Sequence, residues 1–164
     1  MASGVYTTTG IFRLEQIGEK VVKGVSDVMQ DYAEKIVERA REYAPIDKGN
    51  LERAIKKSTN KFGLNRRNTI DIYVDETMSV GKGKTIRDYA RYMHEGIPGI
   101  QGGYKLGKKS LEKDAGRGIV GRKYLTRALN DYKQDYLSAV RSRADRVLGP
   151  HGRNSTIGQL RRIA

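Results

Sequence analysis

The sequence predicts an α+β fold: a long amino-terminal helix and a carboxyl-terminal helix packed on a small antiparallel sheet. Three observations carry that expectation. Apolar residues recur at steps of three and four between Arg13 and Ala44, they alternate with polar ones between Thr69 and Asp75, and they return to helical spacing between Ile119 and Leu148.

In the first segment the stripe runs Leu14, Ile17, Val21, Val25, Val28, Tyr32, Ile36, Ala40 and Tyr43, with acidic and basic residues between, so one face is buried and the other solvated. Gly18 and Gly24 interrupt it and mark a bend or a close approach by another backbone. Pro45 lacks an amide proton and pushes Ala44 out of the helical region, which stops the helix. Asp47 then caps a short helix carrying Asn50, Leu51, Ala54 and Ile55, followed by a polar break over 58–68.

In Thr69–Asp75, Ile70, Ile72 and Val74 alternate with Asp71 and Tyr73, which makes a half-buried strand. Residues 54–61 supply its partner strand or else extend the short helix. A Gly/Lys-rich loop over 79–84 leads into a helix with Ile86, Tyr89, Ala90 and Met93, ending near Gly96. Glycines at 99, 102, 103, 107, 116 and 118, with Lys105, Lys108 and Lys109, predict a long mobile loop over 97–118. The last helix carries Tyr124, Leu125, Ala128, Leu129, Tyr132, Tyr136, Ala139, Val140 and Val147 until Gly149-Pro150 stops it. Residues 1–148 are thus expected to form a single domain, and 149–164 a basic tail ordered only by partners.

With 164 residues, one domain can bury roughly two thirds of the surface of its unfolded chain. No Trp, two Phe and ten Tyr make the core aliphatic with Tyr at its margins. The absence of Cys excludes disulfides and thiolate metal sites. The first ten residues lack a basic start followed by an apolar run, and no window approaches the roughly 20 apolar residues of a membrane span, so a soluble protein made in the cytoplasm is expected. The net charge of +13 is uneven. Residues 1–50 hold seven basic and eight acidic residues, 51–100 ten and six, and 101–164 fifteen and five. The carboxyl-terminal part therefore carries the positive field, a surface for nucleic acid or an acidic protein; a merely solvated face is the plainer reading. Lys105, Lys108, Lys109, Lys113, Arg153, Arg161 and Arg162 are its partner- or DNA-facing candidates.

Chemical motifs are weak. Lys82-Gly-Lys-Thr85 has the end of a phosphate-binding loop, but Met78 stands where the pattern needs its first Gly. His94-Glu95 lacks the second His four residues after the first, where Pro98 stands, and two His without Cys make a poor ligand set. Asp71, Asp75 and Glu76 lie close in sequence, as a magnesium-dependent nuclease would need, yet they alternate as solvent-facing strand residues do. No helix-turn-helix, finger or aromatic platform is present, so any DNA contact would run through phosphates. No catalytic residue, metal or cofactor is expected.

Three segments stand out instead: Tyr43 to Leu51 (Tyr-Ala-Pro-Ile-Asp-Lys-Gly-Asn-Leu), Tyr89 to Gly96 (Tyr-Ala-Arg-Tyr-Met-His-Glu-Gly) and Lys123 to Leu129 (Lys-Tyr-Leu-Thr-Arg-Ala-Leu). The first resembles the "A-P-x-D-T-G-x-L" element of a phage family called minor tail component, neck or tail-completion proteins, with Lys48 in place of Thr. The second is similar to that family's "Y-A-x-x-x-E-x-G", with Glu95 and Gly96 adjacent and His94 where an apolar residue is commoner. The third resembles "P-F-L-x-x-A-L", with Lys123 and Tyr124 for Pro and Phe. The likeness runs from about Glu34 to Val140.

The resemblance implies a non-enzymatic virion protein that forms a neck ring joining the portal and head to the tail. A tail-terminator ring of the same virion is the alternative, and a non-specific nucleic-acid-binding protein the alternative from another class. It implies partners in copies of itself, in a cyclic homo-oligomer of sixfold or twelvefold symmetry, and in portal, adaptor and tail proteins, with the DNA backbone in the channel as a further contact and no membrane. Pro45, Asp47, Gly49, Leu51, Tyr89, Glu95, Gly96, Leu125 and Ala128 become fold-motif residues, with Asp47 and Gly49 capping and turning the chain and Tyr89, Tyr92 and Met93 packing on the sheet.

Overall fold

The computed structural model describes residues 8–46, 48–62, 67–81, 84–95 and 105–155. In chain order the elements are α1 (Thr8–Tyr43), α2 (Asn50–Ala54), β1 (Ile55–Phe62), β2 (Arg67–Val74), β3 (Ser79–Gly81), β4 (Lys84–Thr85), α3 (Ile86–Glu95), α4 (Lys108–Asp114) and α5 (Tyr124–Ser155). The architecture is α+β, with long helices near both ends of the described chain and small antiparallel sheets between them. Contacts divide the chain into two units, Asp31–Gln134 and a second made of Met1–Gln30 with Asp135–Ala164.

The core of the first unit grows from the α1 stripe. Ile36, Val37, Ala40, Tyr43 and Ala44 are buried with Leu51 and Ala54 of α2, Ile55 of β1, Ile86 and Ala90 of α3, and Tyr124 and Ala128 of α5. Tyr124, Leu51, Ile55 and Ile86 are among its largest fully buried side chains. Each contributes about 1.5–3 kcal/mol by leaving water.

Helix α2 ends at Ala54 because Ile55 turns extended, and β1 then pairs antiparallel with β2 from Ile55↔Val74 to Phe62↔Arg67. The stretch that sequence left open between strand and helix is therefore a strand. Ile72 and Val74, on one face of β2, pack against the core, while Asp71 and Tyr73 point outward, as alternation requires. The turn after β2 is pinned from both sides: Asp75 N–H donates to Ala54 O at 2.7 Å, and Ile86 N–H to Met78 O at 3.0 Å. Between them β3 and β4 form a small ladder, Ser79↔Thr85 and Gly81↔Lys84. The Gly/Lys loop is thus a hairpin whose residues 82 and 83 lie outside the described ones.

Two expectations change. The stretch 97–118 is not one loop: 108–114 are the helix α4, and 96–104 lie outside the described residues. Tyr89 and Tyr92 do not pack inward, being 36% and 52% exposed, because Ile86 and Ala90 take the buried face of α3. The break expected at Gly149 is present. That residue alone is non-helical, at φ 68° and ψ −177°, and helix resumes to Ser155. Pro150 suits the first turn of the resumed helix, where its missing donor and fixed φ cost nothing.

In the second unit Gly24 is buried, and a Cβ there would lie 2.8 Å from Arg143 Nε. The close approach expected at this glycine is made by a side chain rather than a backbone. Gly18 has nothing within 4 Å of its would-be Cβ.

Candidate functional site

All three motif segments end at the same core. Tyr43 O at the end of α1 accepts from Gly121 N–H at 2.9 Å, and His94 O at the end of α3 accepts from Lys123 N–H at 2.8 Å. The Tyr124 hydroxyl donates to Ala90 O at 3.4 Å, and the Tyr124 ring meets His94 edge-on at 4.9 Å between centroids. Glu95 bonds Lys123 Nζ and His94 Nδ1, both at 2.7 Å, and these bonds hold its carboxyl below the usual range. Ala128 is fully buried and Leu125 packs against the same cluster, whereas Leu129 is half exposed. Lys123, at φ 57°, takes the left-handed turn that opens α5.

The first segment is locked by polar ties to α2 and α4. Pro45 and Leu51 are buried, and Gly49 sits in the left-handed region at φ 73° as the residue before α2, a conformation that glycine takes without strain. Asp47 and Gly96 lie outside the described residues. Lys113 Nζ donates to Arg41 O at 2.5 Å and Ala44 O at 2.8 Å and pairs with Glu52, which satisfies carbonyls that the end of α1 leaves open. A cation at a helix C-terminus also opposes the negative end of its dipole. Arg41 in turn donates to Glu52 O at 3.1 Å and Ile55 O at 2.9 Å, closing α2. Ser110 Oγ donates to Ile46 O and accepts from Ile46 N–H, each at 2.9 Å. Asp114 accepts from the backbone N–H groups of Val120, Gly118 and Ile119 at 2.6–2.8 Å, and these bonds hold its carboxyl below the usual value.

Beside this junction α3 and α4 leave a cleft of about 470 Å³. Ile46, Met93 and the Tyr89 ring line it together with Lys105, Lys108 and Lys109. The structure thus gathers three of the basic candidates around one cavity and turns a fourth, Lys113, into the fold. Arg153 lies in the helical stretch after Gly149, and Arg161 and Arg162 lie outside the described residues.

The carboxylates that suggested a nuclease are otherwise engaged. Asp75 bonds Lys56 Nζ and Thr77 Oγ1, both at 2.6 Å, which pulls its carboxyl down to about 2, while Glu76 pairs with Arg87 at 3.5 Å. No group of His, Asp and Glu among the described residues could hold a metal ion. Lys84 and Thr85 are strand residues, not the first turn of a helix that a phosphate-binding loop needs. Among the described residues no helix is long and apolar enough to cross a membrane.

Sequence reasoning missed Ser110 and Asp114, and it took Lys113 as partner-facing where the structure bonds it to the end of α1 and to Glu52. Only Asp114 left a trace, in the glycines 116 and 118 that let the chain wrap its carboxylate.

The marked sequence segments thus meet in one core, and the polar groups beside them tie its elements together. Residues 11–96 match the model of the HK97-gp10-like family, described as a bacteriophage tail component, and the chain belongs to that family. The match includes the first two motif segments and stops before the third. Neither the curated proteins nor the solved structures contain a match to this chain.

Proposed function

We propose that the protein is a non-enzymatic ring component of the phage neck, joining the portal and head to the tail. Family membership makes it a structural tail component of the virion. The finer reading is supported by the convergence of Tyr43–Leu51, Tyr89–Glu95 and Lys123–Leu129 on one core, because their order along the chain is what resembles the neck and tail-completion proteins. A closed ring requires heterologous contacts, in which two different patches of each copy meet. The basic residues beyond 101 that the fold does not use face an acidic neighbouring ring or DNA in the channel, and residues 149–164 gain their final order on neighbouring subunits.

Electron microscopy of the purified protein tests the assembly, with a closed ring of six or twelve copies as the expected result. Antibody labelling of intact virions tests the position and should mark the head–tail junction. A protein that stays monomeric at high concentration and labels no part of the particle would overturn the reading.

A further inference from the structure

We propose that the lysine-rimmed cleft between α3 and α4 is the docking site for an acidic segment of a different protein, one that presents a bulky aliphatic side chain between carboxylates. The cleft has two kinds of surface. Its floor is apolar, from Ile46, Met93 and the Tyr89 ring, and Lys105, Lys108 and Lys109 stand at its rim on exposed positions. At about 470 Å³ it falls within the size range of ligand-binding clefts.

Its walls are fixed in advance. The paired bonds between Ser110 and Ile46, and the hold of Lys113 on the end of α1, place α4 without help from a ligand, so an occupant orders little of this wall on binding. A phosphate backbone would satisfy the lysines but leave the apolar floor uncovered. The most basic part of a second copy, residues 101–164 with fifteen basic and five acidic residues, would meet like charge at these lysines. Carboxylates with an aliphatic anchor match both surfaces. The proposal rests on the ring reading only for the partner's place in the particle.

The test is fluorescence anisotropy of the full chain with a short labelled peptide of Asp and Glu carrying one central Leu, read at low salt and independently of ring formation. Saturable binding is expected. Replacing the Leu of the peptide by Ser should weaken it about tenfold or more, as loss of one buried aliphatic side chain implies. The variant Lys105→Glu with Lys108→Glu and Lys109→Glu should abolish binding. Lys108→Gln with Lys109→Gln, which adds no repulsion, should weaken it severalfold with an unchanged thermal melt. Absence of binding overturns the proposal, as does binding indifferent to the Leu, or a lysine variant that binds as the parent does. So does duplex DNA that displaces the peptide while its own binding needs the same lysines. A labelled copy of this chain that fills the site with the same lysine dependence would make the occupant a second subunit and sink the choice of partner. Ring formation by a protein that ignores the peptide defeats this inference alone.

Discussion

The two faces of α4 carry the same kind of residue to opposite ends. On the inner face Ser110, Lys113 and Asp114 are used up in bonds to Ile46, to the end of α1 and to the following turn. On the outer face Lys108 and Lys109 stay exposed, with Lys108 in a loose ion pair at 4.0 Å with Glu112 of the same helix. A lysine is therefore not a footprint of a partner by its charge alone; what it can reach within its own chain decides. The inner face stabilises the fold, and the outer face stays exposed to solvent.

Acid should separate the faces most sharply. The folded-state carboxyls of Asp114 and Asp75 lie below their unfolded values, so their stabilisation is complete above about pH 4 and is lost as pH falls through the folded value, which for Asp75 is about 2. Thermal melts between pH 5 and pH 2 should show a steep loss, and Asp114→Asn should melt lower at pH 7 while losing less on acidification. An unchanged slope in that variant would remove Asp114 from the account. Next in size, Lys113→Met strips donors from the end of α1 and leaves Glu52 without its cation, at a cost of about 1–3 kcal/mol by chemical denaturation. Smallest is the outer face, where Lys108→Ala with Lys109→Ala should move stability by no more than about 0.5 kcal/mol. A larger effect there would mean that the outer lysines also hold the fold, and the contrast would fail.

The long helix α1, the strand β2 and the start of α5 were legible in sequence because each announces itself in its own neighbours, through a repeat of 3.6 or 2 residues. Helix α4 was not. Its seven residues hold too few apolar positions to set a period, and what orders it lies far along the chain, with Lys113 bonded 72 residues away at Arg41 and Ser110 bonded 64 away at Ile46. Glycines on both sides, at 107 and 116, reinforced the reading of a loop. Tyr89 and Tyr92 failed for a related reason. Both fit a helix, but periodicity does not say which of two apolar stripes faces inward, and on α3 the stripe of Ile86 and Ala90 wins. Of the candidate cleft, only the lysines were visible beforehand. Their floor comes from Ile46 and Met93, residues the sequence pattern had placed in a turn and in the core.

The clasp of Tyr124 and Ala128 against residues from α1 and α3 has a consequence for how the protein is made. Both side chains are fully buried at the centre of the cluster that Ile36, Val37 and Ala40 begin. During translation the apolar stripe of α1 emerges early and waits, since its cover is the last large part of the core to leave the ribosome. Such long-range closure slows folding and prolongs exposure of sticky surface. A chain cut after the second motif would keep the greasy stripe and lose the lid, and it should come out of the cell as aggregate.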